Sequence, residues 1–246
     1  MGAYAEIGAR LYVEYTKLIH YNHGAMNTKM TQSSDKVRLR ILEAAAQRFT
    51  QFGYNKTTMA EVAQDCGMSA ANLYRYFENK LDIGANLACN CLRIKRERMQ
   101  AVVHQRERSA AERLQDVVLQ ALDHTYEQWS GSPRMNEMIN AICDARMDIV
   151  DEHEQGEHQL LVELLEDGNA RGEFQISDID VTATAIATAT TAFNMPLLMP
   201  LYPLETLHQR AKCVVQLILN GLLSNQSSTA REVSAPSSHP FRIINS

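Results

Sequence analysis

Between Ser33 and Lys80 the chain reads as short helical segments divided by two glycines, Gly53 and Gly67, and this punctuation constrains the fold more than any other feature. Val37, Ile41, Ala45, Phe49 and Phe52 recur at intervals of three and four, which predicts a helix over about 35–51 with one buried face, opened by a Ser33-Ser34 cap. Gly53 follows where a left-handed C-terminal cap is wanted. Thr58-Met59-Ala60-Glu61 then has the form of a capping box, starting a second helix with Met59, Val62, Ala63 and Cys66 inward. Gly67 lets the backbone turn, and Ser69 caps a third helix whose Ala70, Leu73 and Phe77 face inward. Ala63 is small where two helices must cross, and Leu73 plugs the crossing. That spacing is a helix-turn-helix, a motif whose second helix enters the DNA major groove.

The remainder is also helical by pattern. Glycine and proline are few and fall at punctuation points such as Gly131-Ser132-Pro133, Gly168, Gly172, Pro196 and Pro203. No segment alternates like a strand, and the Thr/Ala-rich stretch 181–192 has the alanine content and acidic lead-in of a helix. The expected class is all-α, with helices near 81–105, 109–129, 134–153, 155–169, 178–195 and 204–223. Four regions follow. Residues 1–33 are an N-terminal extension: an ordered arm, a loose tail or a start-site artefact, since Met26 and Met30 are both plausible starts. Residues 34–80 form the helix-turn-helix head and 81–224 a larger helical body. Residues 225–246, rich in Ser, Asn, Gln, Thr and Pro, have the composition of a disordered tail.

Charge divides the chain along the same line. The net charge is −5, but residues 35–98 carry eleven basic and seven acidic side chains, whereas 99–246 carry ten and twenty. A basic head on an acidic body suits a nucleic-acid partner, and a merely solvated, mildly basic surface is the competing reading of the same balance. Five scattered cysteines are no disulfide framework, and the Cys89/Cys91 pair reads as ordinary thiols. With no membrane-length apolar run and no signal-peptide core, the expected location is cytoplasmic. No nucleotide loop, hydrolase elbow or zinc-protease motif is present, so neither an enzyme nor a cofactor is expected. Asp148, Glu152, His153, Glu157 and His158 read as a solvated helix face rather than a metal site, as does the basic run 93–98.

Two dense strings carry a family resemblance. Gly53-Tyr54-Asn55-Lys56-Thr57-Thr58-Met59-Ala60-Glu61-Val62-Ala63 resembles the glycine-aromatic, double-threonine signature of the tetracycline-repressor (TetR) family. Gly67-Met68-Ser69-Ala70-Ala71-Asn72-Leu73-Tyr74-Arg75-Tyr76-Phe77-Glu78-Asn79-Lys80 resembles its LYxHF stretch, with Tyr76 in place of the usual histidine. The match covers about residues 35–100. The resemblance implies a homodimer on double-stranded operator DNA, commonly a repressor released by a small molecule.

Each residue has chemistry suited to that role. Thr57 and Thr58, at a helix start, can cap it and hold a phosphate. Ser69, Ala70, Ala71 and Asn72 are short enough for the third helix to approach base edges, and Arg75 suits guanine or phosphate. Tyr74, Tyr76 and Lys80 are candidate backbone grips, with packing of the tyrosines as the competing use. Arg38 and Arg40 are candidate clamps on the flanking backbone.

In the body, the alanines at 183, 185, 187, 189 and 192, with Val214, Val215, Leu217, Ile218, Leu222 and Leu223, suit a four-helix dimer contact made by the last two helices. Tyr126, Trp129, Met138, Ile142, Met147 and Phe193 are candidate walls for an apolar or amphipathic effector, though such stripes also build ordinary core. The alternative is a DNA-binding member with no small-molecule effector, architectural or protein-regulated.

Overall fold

The computed structural model describes residues 29–129 and 133–224, with side chains over 34–128 and 134–222. The expected tail and most of the N-terminal extension lie outside the described residues. The helices are α1 Lys29–Phe52, α2 Met59–Asp65, α3 Ala70–Leu73, α4 Lys80–Val103, α5 Ala110–Trp129, α6 Asn136–Ala145, α7 Met147–Ala170, α8 Ile179–Thr190 and α9 Leu204–Ser224. Short 3-10 turns precede α6 and link α8 to α9. No strand occurs among the described residues.

Two boundaries and one inward position differ from expectation. The first helix begins at Lys29, so Ser33 and Ser34 lie inside it and do not cap it; serine costs a helix interior only a few tenths of a kcal/mol, roughly, and is a weak stop. Phe52, expected inward, is half exposed under the Arg48 guanidinium at 5.2 Å. The break expected near residue 154 falls at Arg146, whose φ −140° and ψ 52° part α6 from α7 with no glycine or proline.

Two apolar cores result. The head core gathers Ile41, Phe49, Val62, Leu73, Phe77 and Ile83, and is completed from the body by Met135, Met138, Ile142 and Ile149. The body core runs through Val102, Leu114, Leu164, Ile186, Phe193 and Val215, drawn from α4, α5, α7, α8, α9 and the turn after α8. Its far end is tied by Arg113, a buried guanidinium that donates to the Val103 carbonyl at 2.7 Å and pairs with Asp167. Gly168 permits the ring of Phe174 to lie against α7, since a Cβ there would come within 2.3 Å of Phe174 Cδ2.

A polar layer separates the cores. Along α4 the head core ends at Leu92 and the body core begins at Met99; along α7 the limits are Ile149 and Leu160. Around this boundary lie Cys91, Ile94 and Lys95 on α4, His124 and Thr125 on α5, and His153 and Glu157 on α7. Helix α4 therefore runs from the head, across this layer, into the body.

Candidate nucleic-acid interface

The head is set by its caps. Gly53 stands at φ +95° and Gly67 at φ +64°, left-handed backbone that a side chain disfavours. Thr58 accepts from the Glu61 amide while Glu61 accepts from the Thr58 amide at 2.8 Å, the reciprocal capping box expected. The Thr58 hydroxyl also donates to the Glu61 carboxylate at 2.8 Å, and this bond, followed by that from the Thr58 amide, holds the Glu61 carboxyl below its ordinary range. Ser69 accepts from the Asn72 amide and opens α3. Arg48 joins α1 to α2 through a two-pronged grip on Asp65 at 2.6 and 2.8 Å.

Helix α3 is a single turn, prolonged to Phe77 by tighter bonds such as Tyr76 N–H to the Leu73 carbonyl at 2.9 Å. Leu73 and Phe77 are buried in the head core and fix its inner face. Its outer face presents Ser69, Ala71, Tyr74 and Arg75, all exposed, with Ala70 and Asn72 half-buried beside them. Tyr74 is 54% exposed and so is not spent on packing, whereas Tyr76 packs against the head core. These short side chains around one arginine leave the backbone free to approach a groove.

The expected cationic grips are placed differently. Lys80 Nζ donates to the carbonyls of Tyr54 at 2.7 Å, Asn55 at 3.3 Å and Thr57 at 3.0 Å, and lies 4.4 Å over the Tyr54 ring. Burial pulls its pKa down, and the Glu137 charge works against that. Lys80 thus staples the α1–α2 turn instead of facing outward. Thr57 is buried, and its hydroxyl donates to the Gly53 carbonyl at 2.8 Å. Arg38 donates to the Tyr76 carbonyl at 2.5 Å and stacks 4.3 Å from Phe77; Arg40 donates to the Cys66 carbonyl at 2.8 Å. The physical reason is shared: loop and helix-end carbonyls need donors, and nearby cations supply them.

Within residues 34–80, the cations with no partner among the described residues are Lys36, Lys56 and Arg75, all exposed. Sequence reasoning missed Lys36 and Lys56. The available signal was position, since Lys56 stands in the turn just before the Thr58 cap.

The candidate effector walls do not converge. Met138 and Ile142 belong to the head core, Met147 is 49% exposed, Phe193 belongs to the body core, and Tyr126, half-buried, packs against the body core. Trp129 lies outside the described side chains. A separate notch of about 350 Å³ opens between α4 and α5, lined by residues including Gln105, Arg108, Asp116 and Asp123, none of them expected.

The 93–98 run and the α7 face are not simply solvated, because Lys95 is 4% exposed and pairs with Glu157 at 2.7 Å. Burial tends to raise the Glu157 carboxyl, but the Lys95 charge and the His153 hydrogen bond outweigh it and hold the group at about 2. His124, 1% exposed, is pushed down to about 3 by burial, assisted by the charges of Arg98 and Lys95, and its Nε2 lies 3.3 Å from Cys91 Sγ. Burial takes the Cys91 thiol up to about 12. No cluster of three metal-binding side chains occurs among the described residues, and no described helix is long and apolar enough to cross a membrane.

Comparison with known proteins agrees with this architecture. Residues 41–84 match the family described as bacterial regulatory proteins, tetR family, and residues 110–215 match the tetracyclin repressor-like C-terminal domain. A 51-residue stretch is 45% identical to the uncharacterized HTH-type transcriptional regulator YhgD of Bacillus subtilis, a match spanning 21% of this chain and 26% of that relative. A TetR-family regulator from Mesorhizobium loti superposes with a TM-score of 0.63 at 16% identity, covering 79% of this chain and 98% of that one. The FadR regulator of Bacillus subtilis, solved with stearoyl-CoA, gives 0.56 at 18% identity over 74% and 98%. Two family matches in the right order, one on the head and one on the body, place the chain in the tetracycline-repressor family of bacterial regulatory proteins.

Proposed function

We infer that the chain is a sequence-specific DNA-binding transcriptional regulator, acting as a repressor on a palindromic operator. The observation that carries this reading is the outer face of α3, where Tyr74 and Arg75 stand exposed beside Ser69, Ala71 and Asn72 while Leu73 anchors the opposite side. Arg75 and Asn72 read base edges, the alanine methyls meet thymine, and Lys36, Lys56, Tyr74 and Thr58 hold the backbone. A homodimer through α8 and α9 places two heads on one axis. Leu217, 74% exposed on α9, and the exposed alanines 185, 189 and 192 supply apolar area for it.

Release of DNA is assigned to a small apolar or amphipathic ligand in the body, near Tyr126 and Phe193. The likeness to a FadR solved with stearoyl-CoA supports the amphipathic class. The dispersal of Met138, Ile142 and Met147 away from the body core favours, as a second reading, a regulator without a small-molecule effector. Enrichment of bound duplexes from a random pool tests the DNA reading. The wild type should recover a twofold-symmetric motif that Arg75→Ala relaxes; recovery of no motif would overturn it. A thermal-shift series with stearoyl-CoA separates the two effector readings: a rise in melting temperature with loss of bound duplex supports the ligand, and no response to this ligand favours the second reading.

A further inference from the structure

The α1–α2 turn, 53–57, is held from two sides by groups of opposite charge. From within the head, the Lys80 ammonium takes three of its carbonyls. From the body, Glu137 on α6 accepts the Asn55 backbone N–H at 2.7 Å. The Glu137 carboxylate also lies against Gly53, where a Cβ would come within 3.1 and 3.2 Å of its oxygens. One residue beyond Asn55 stands Lys56, exposed and without a partner among the described residues, and then the Thr58 cap. Two further ties join the same pieces: Arg134, just before α6, donates to the Gln51 carbonyl at the end of α1, and Met138 packs into the head core.

We propose that Glu137 is a positioning residue for DNA binding: its carboxylate fixes the turn that presents Lys56 to the phosphate backbone, making α6 the handle by which the body sets the head. The inference rests on the DNA-binding reading above. A backbone amide held by a carboxylate keeps one orientation, so the three residues from Asn55 to Thr57 are fixed at both ends. Lys80 satisfies the carbonyls but, being a donor only, cannot accept from the amide side; among the described residues Glu137 supplies that acceptor. Glu137 touches no DNA itself. Its charge is offset by Lys80, so the pair holds the turn without adding net charge beside a phosphate. A body state that shifts α6 then withdraws the Asn55 acceptor and loosens Lys56, coupling the two domains.

The test compares Glu137→Ala, which removes acceptor and charge, with Glu137→Gln, which keeps an acceptor and removes charge only. The probe is a labelled duplex from upstream of the protein's own coding sequence, with Lys56→Ala and Glu137→Ala/Lys56→Ala as further variants. Amide exchange at Asn55 should quicken about tenfold in Glu137→Ala and much less in Glu137→Gln. Duplex affinity should fall severalfold in Glu137→Ala, stay near wild type in Glu137→Gln, and fall no further when Glu137→Ala is added to Lys56→Ala. If Glu137 only repels phosphate, both variants bind DNA more tightly, and the proposal is overturned. Unchanged Asn55 exchange overturns it as well. A wild type that binds no duplex refutes the DNA-binding reading instead, while the exchange result still decides whether Glu137 holds the turn.

Discussion

Replacing Lys95 by methionine should be among the costliest single changes in the body. The side chains of Lys95 and Glu157 are 5% and 15% exposed and 2.7 Å apart, so solvent screens them little. At an effective dielectric of about 20 their attraction is about 6 kcal/mol before desolvation is subtracted. The depression of the Glu157 carboxyl from 4.5 to about 2 corresponds to about 3 kcal/mol. Removing the cation strands a buried carboxylate, for which a loss of about 3–5 kcal/mol is expected. The double variant Lys95→Met/Glu157→Leu removes both charges and should return to within about 1 kcal/mol of wild type. Urea unfolding followed by far-UV circular dichroism supplies the numbers for the full cycle. The pH dependence gives a second check. The folded carboxyl lies below its unfolded value, so its contribution is present above about pH 4.5 and fades as pH falls toward 2. The gap between wild type and Lys95→Met should therefore narrow on acidification. A single variant that loses under about 1 kcal/mol, or a double no better than the single, would refute the reasoning.

Three other outcomes follow from the same geometry. His124 is held neutral by burial down to about 3, so the unfolded chain takes up a proton near pH 6.5 that the folded chain refuses. Stability should then fall below about pH 6.5, by about 2 kcal/mol at pH 5, and His124→Phe should flatten that part of the profile in urea midpoints. Gly168→Ala drives a Cβ into Phe174 and Ala110 Cβ, and should cost about 1–3 kcal/mol despite alanine's better helix propensity; a variant as stable as wild type would show that the Phe174 ring moves aside freely. Leu217→Glu places a charge on the exposed face of α9 and should turn a dimer into a folded monomer in light scattering, a result that a wild type already monomeric would pre-empt.

What was legible in the sequence is local. The Thr58/Glu61 box, the Ser69 cap and the two positive-φ glycines are short-range devices, and each stands where the residue pattern put it. The partners of charged groups were not legible, because they are set by distant elements. Lys95 sits in a run of charged neighbours and looks solvated until α7 brings Glu157 to it. Lys80 and Arg38 look like outward grips until the turn and the end of α3 offer them carbonyls. Met138 and Ile142 have the periodicity of any core face, and nothing in their spacing says which of two cores they join. The break at Arg146 carries no local signal, since tertiary packing imposes it without glycine or proline.

The DNA-binding assignment is tested most directly by the salt dependence of duplex binding. Fluorescence anisotropy with the duplex from upstream of the coding sequence, titrated between about 50 and 200 mM salt, reads the number of phosphates the head neutralises. A steep linear fall of log affinity with log salt is expected. Its slope should become shallower by about one phosphate per head in Lys56→Ala, and stay unchanged in Arg40→Ala, whose guanidinium is spent on Cys66. A flat salt response, or binding that survives Tyr74→Ala with Arg75→Ala unaltered, would contradict the claim that α3 and the α1–α2 turn face DNA.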